Sequence, residues 1–162
     1  MNVQAPCLQK AEALMNTHPY LRAFLAGILV PTLVLPLFLV GFIVLRLGLQ
    51  ISTPIERGLV FPMALVPALW GLWNIVWQRS HSSTHLPLGL HGALLPFLLL
   101  PAGMWIATHL GALQLGAAHA IWFGYLHVPY GMIAIAFAAV LAGYYLIWKY
   151  IVGFVNQVLG IA

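Results

Sequence analysis

Residues 1–18 are read as a polar segment, with Gln4, Gln9, Lys10, Glu12, Asn16 and His18 spread along it, and at Pro19 the chain turns apolar and stays so to Leu47, with Arg22 and Arg46 near the two ends of the run. About 20 apolar residues cross a bilayer, so this run predicts a membrane helix, long enough to need tilt or a bend. Its arginines sit where they can snorkel to the headgroups, and Pro19 suits a first helical turn. The apolar run starts late for a secretory signal and lacks a small-residue cleavage site, so the helix is expected to be retained.

A second run begins at Thr53-Pro54-Ile55-Glu56. Threonine at the cap, proline in the first turn and glutamate reaching back form a capping box. The helix it opens is expected to reach about Gln78. The polar link RSHSSTH follows at Arg79–His85, then a third span from about Pro87 to Thr108. The stretch Leu110–His127 carries no charge, and Pro129 opens a last span to about Trp148. Tyr144, Tyr145, Trp148, Lys149 and Tyr150 have the composition of a membrane interface. Residues 151–162 are apolar enough to lie on the membrane or to continue the helix. The expected fold is therefore an all-α membrane bundle of four spans over residues 19–150, between a polar segment 1–18 and the tail 151–162. Dividing 110–162 differently would give five spans.

Three segments share one skeleton, Gly-x3-Pro-x4-Pro: Gly27–Pro31–Pro36, Gly58–Pro62–Pro67 and Gly92–Pro96–Pro101. A proline inside a helix loses its own N–H bond and its ring presses on the carbonyl four residues back. In each segment that residue is glycine, which gives the backbone room to bend. The skeleton is expected to mark tolerated helix breaks, lining a cavity in one reading and only curving a bundle in the other.

Composition supports the lipid setting. Apolar residues make up 63% of the chain and charged residues 5%, against about 25% charged in a soluble domain. The carboxylates are Glu12 and Glu56 alone, and the net charge of +4 comes from scattered cations, which argues against a nucleic-acid surface. With the N-terminus inside, Lys10, Arg22, Arg79 and Lys149 face the cytoplasm and Arg46 and Arg57 the far side, as the positive-inside bias prefers. A bacterial-type inner membrane is the expected location. Cys7 is the lone cysteine and can neither close an internal disulfide nor build a thiolate metal site.

Candidate chemistry is sparse. Apart from Glu56 in the capping box that opens the second span, no carboxylate falls within an expected span, where ion and proton carriers usually place one. No protease, hydrolase, phosphate-loop or paired-cysteine motif is present. Trp70, Trp73 and Trp77 share a helix face, read as an interfacial belt or as a stacking surface for a ring-shaped cofactor. His81, His85 and His91 gather toward one side of the membrane, and His109, His119 and His127 toward the other. Either trio is read first as ordinary interface residues, with a metal ion or haem iron held by its imidazoles as the minor alternative. His91 lies within a span, matching Ala26 of the first repeat, and is read as a neutral, hydrogen-bonded group. Asn74, Gln78 and Thr32 are the other polar groups in the spans, with Asn74 expected to bond between helices.

On the last span Gly131, Ala134, Ala138 and Ala142 form a small-residue stripe, and Ala136, Ala139 and Gly143 a second. Such faces let helices approach closely; one is expected to pack internally and the other to remain for a partner. The leading functional expectation is a non-enzymatic membrane subunit within a larger complex or homo-oligomer. A channel or carrier for a neutral solute is the second, and a haem- or quinone-linked redox subunit the third.

Overall fold

The computed structural model describes residues 18–48, 50 and 61–161, without the side chains of 61–62 and 81–84. Helix α1 covers Pro19–Ile43 and widens into a π-helical turn at Val44–Gly48. A short α2, Phe61–Ala64, precedes α3, Val66–Thr84, and α4 covers Leu88–His109. Strands β1 (Leu113–Leu115), β2 (His119–Trp122) and β3 (Leu126–Pro129) form an antiparallel meander. The chain then returns as α5, Tyr130–Leu146, a π-helical stretch Ile147–Val152, and α6, Gly153–Val158. Among the described residues three helices are long and apolar enough to cross a membrane: Pro19–Gly48, Leu88–His109 and Tyr130–Val158.

Several sequence expectations change here. The fold is mostly helical rather than all-α, because the charge-free connection folds as a sheet. Aromatic and β-branched residues in His119–Trp122 and Leu126–Pro129 favour strands. Between them Phe123 and Gly124 both take positive φ, which matches the twist of a tight hairpin. A fifth span within 110–162 does not form, since these strands use the residues it would need. The expected second span begins, with its capping box and Gly58, outside the described residues. Its described part is broken at Leu65, where Pro67 restarts the helix as α3. Asn74, Gln78, Arg79 and the serines of Ser80–Ser83 keep α3 from matching the apolar character of the other three. The link Arg79–His85 is also shorter than expected. Helix α3 continues to Thr84, and His85 turns the chain with a φ of 48°.

Helices α1 and α4 stay helical through Pro31, Pro36, Pro96 and Pro101. The glycines of their repeats turn out to be contact points between helices. A Cβ on Gly27 would stand 2.6 Å from the Trp70 carbonyl oxygen and 2.8 Å from the Gly71 Cα. The antiparallel helices α1 and α3 thus cross backbone to backbone, a packing only glycine permits. A Cβ on Gly92 would fall inside the indole of Trp148, and one on Gly89 would meet Tyr145 at 2.8 Å. These two glycines hollow α4 to receive the last helix, which runs antiparallel to it.

The tail continues that helix instead of lying flat. Gly160 takes a φ of 65°, with Ile161 N bonded to Asn156 O at 2.8 Å and Gly160 N to Gln157 O at 3.0 Å. These two bonds form the Schellman turn that satisfies a helix end. Arg22, in the first turn of α1, donates from Nη2 to Gly160 O at 2.6 Å. The start of the first helix and the end of the last therefore meet. One core cluster, Trp70, Leu95, Trp148 and Val152, sits between the helices; a second, Ala107, Ala112, Leu113 and Ala120, seats the sheet on α4. Large apolar side chains such as Leu37, Leu47, Phe97 and Ile135 remain exposed. A surface of this kind suits lipid and associates the chain with membranes.

Candidate functional site

Two polar constellations sit inside the bundle. In the first, Trp73 of α3 and His91 of α4 lock two helices together. The Trp73 indole Nε1 donates to the His91 carbonyl at 2.9 Å, and His91 Nε2 lies 3.1 Å from the Trp73 carbonyl. A carbonyl only accepts, so Nε2 carries the proton in this contact. The rings stack with centroids 4.8 Å apart, and Trp148 stands edge-on to His91 at 6.2 Å. His91 is 6% exposed. An iron at Nε2 would have to break the bond to Trp73, so this histidine is engaged in structure.

In the second, Asn74 and Asn156 form a reciprocal amide pair, each 0% exposed. Asn74 Nδ2 donates to Asn156 Oδ1 at 2.9 Å and to the Ala23 carbonyl at 2.8 Å; Asn156 Nδ2 returns a bond to Asn74 Oδ1 at 3.2 Å. The pair ties α1, α3 and α6 at one level. A buried amide without partners costs about 1–3 kcal/mol, so these two side chains specify one arrangement of three helices. Asn74 was legible as an interhelical bonding residue. Asn156 was not, because it stands in the apolar tail; an amide within VGFVNQVLG was the signal that this segment is packed.

The tryptophan face is core and not an interfacial belt. Trp70 and Trp77 are buried, and Trp148, expected at the interface, is fully enclosed. Trp70 packs against Tyr144 at 5.0 Å and Trp148 at 5.4 Å between centroids. Packing of α1 and the last helix over α3 covers the stripe.

Of the His109, His119 and His127 trio, the structure brings two together. Ile121 pairs with His127 across β2 and β3, which puts His119 diagonal to His127 on one sheet face, with ring centroids 4.8 Å apart. His109 instead bonds the Trp105 carbonyl at 2.8 Å through Nδ1. Among the described residues no three His, Cys, Asp or Glu side chains are grouped to hold a metal ion. His85 ends α3, and the side chain of His81 lies outside the described residues.

The small stripes also differ from expectation. Gly131, Ala134, Ala138 and Ala142 are all exposed, and at Gly131 and Gly143 an added methyl group would find no atom within 4 Å. Helix α5 meets α4 through its larger side chains, as in the edge-to-face pair Phe97–Phe137 at 5.2 Å. Among the described residues neither stripe is used up inside the chain.

The Trp73–His91 lock has a direct test. His91→Phe keeps a ring in the stack and removes the Nε2 donor. A loss on the order of 1 kcal/mol in detergent unfolding is expected; no loss would mean that the bond contributes nothing. Comparison with known protein families, with curated proteins and with solved structures finds no match to this chain.

Proposed function

We propose that the chain is a non-enzymatic membrane subunit that crosses the bilayer four times and docks on another membrane protein or a second copy through the outward face of α5. Parity supports the fourth crossing. Arg22 and Gly160 meet, so both ends of the described chain lie on one side and the number of crossings is even. Three helices have the apolar character to span; the broken segment Phe61–Thr84, antiparallel to α1, supplies the fourth. Its amide Asn74 is tolerable there because it is buried within the bundle.

This topology gathers Arg22, Arg79 and Lys149 at one end. The Lys149 ammonium lies there over the Tyr145 and Tyr150 rings at 5.6 and 5.1 Å. The positive-inside bias makes that end cytoplasmic. The Trp73–His91 and Asn74–Asn156 groups direct their bonds to neighbouring helices, which supports a packing role over transport or redox chemistry.

The open face of Gly131, Ala134, Ala138 and Ala142 carries the docking reading. These positions return every three to four residues, so they line one side of the helix, away from Phe137 and α4. The test is the mass of the particle in mild detergent. The 17.7 kDa chain should migrate within a larger assembly, and Ala138→Leu should reduce that assembly at least tenfold while insertion and thermal stability stay unchanged. An Ala138→Leu protein that assembles like the parent would contradict docking through this face.

A further inference from the structure

On the opposite side of α5 a slot of about 520 Å³ opens between α4 and α5. We infer that it holds one acyl chain of a phospholipid from the leaflet on the sheet side, taken up without regard to headgroup charge. Gly103 on α4 and Ala136 on α5 leave room there between larger neighbours. Trp122 and Val128 of the meander bound one end, and Val66 and Tyr144 the other.

Length identifies the occupant. On α5 the lining runs from Met132 to Tyr144, twelve residue steps or about 18 Å at about 1.5 Å per residue. A leaflet contributes half of a hydrocarbon core about 30 Å thick, or about 15 Å. The slot therefore has the reach of one lipid tail. A partner helix that crosses the membrane needs the full thickness, and the sheet stands in its way. No charged side chain lines the slot, and none occurs between Arg79 and Lys149. Among the described residues that line the slot, none selects an anionic headgroup.

The experiment uses photo-methionine, nearly isosteric with methionine, incorporated into the full-length chain and irradiated in vesicles of equal zwitterionic and anionic phospholipid. Met104 and Met132 both line the slot, and both should carry phospholipid adducts whose headgroups match the vesicle within about twofold. Gly103→Trp fills the slot and should cut the Met132 adduct at least tenfold, with Ala136→Phe as a second filler should the first misfold. Ala138→Leu, on the other face, should leave the adduct unchanged, which separates this site from the docking face. Adducts to a protein segment at Met104 or Met132, persistence of the lipid adduct in folded filled-slot variants, or strong enrichment of anionic lipid would each overturn the assignment.

Discussion

Gly92→Ala, a change of one methyl group, is expected to cost roughly 3 kcal/mol or more, a large share of the stability of a domain this size. The new Cβ would overlap the Trp148 indole. Trp148 is fully buried, held between His91 and Trp70, so it has nowhere to turn. The backbones must separate or the indole must leave the core. The first costs about 1–3 kcal/mol as overpacking, and the second approaches the roughly 3–5 kcal/mol of deleting a core tryptophan. In detergent unfolding the variant should melt well below the parent or fail to yield monodisperse protein. Trp148→Leu in the same chain should recover part of the loss, since it makes room for the methyl; strictly additive losses would show that the clash is not the cause. Gly41→Ala is the contrast. Nothing lies within 4 Å of its Cβ position, and alanine in an open helical site should gain about 0.5–1 kcal/mol.

The second large effect concerns the buried amide pair. Asn74→Leu removes three bonds at once: to Ala23 O, to Asn156 Oδ1 and from Asn156 Nδ2. It strands Asn156 in an apolar site, and a loss of about 2 kcal/mol is expected, within the range for an orphaned buried polar group. Asn156→Leu should cost a similar amount. The informative variant is Asn74→Leu with Asn156→Leu. Replacing both partners of a buried pair is often close to neutral, so the double variant should be clearly less destabilised than the sum of the singles. A coupling energy near zero would contradict a bonded pair. The double variant should also show looser docking of α6, seen as faster amide exchange at Asn156–Ile161, because leucine packs without fixing register.

What the sequence disclosed and what it withheld follow from range of interaction. The apolar helices that begin at Pro19, Pro87 and Pro129 were legible because apolar runs and N-terminal prolines act locally. So was the bonding role of Asn74, since an amide in an apolar helix must find a partner. The contact role of Gly27 and Gly92 was not legible. Their spacing to Pro31 and Pro96 suggested a local device, yet each faces another helix, at Gly71 and at Trp148, far away in sequence. The same applies to Trp70 and Trp77, whose interfacial composition was outweighed by the helices packed over them. The meander was hidden because apolar residues without charge fit lipid and sheet alike. Asn156 was not legible because the segment beyond Tyr150 has no polar periodicity to mark it.

The proposed topology rests on an even number of crossings, with Phe61–Thr84 passing through the bundle beside α1. In a Cys7→Ser background, single cysteines at His18, His85, Gly124 and Gly160 can be labelled with a membrane-impermeant maleimide in oriented vesicles. Positions 18, 85 and 160 should react from one side and position 124 from the other. Reaction of 85 from the side of 124, or of 18 and 160 from opposite sides, would contradict it.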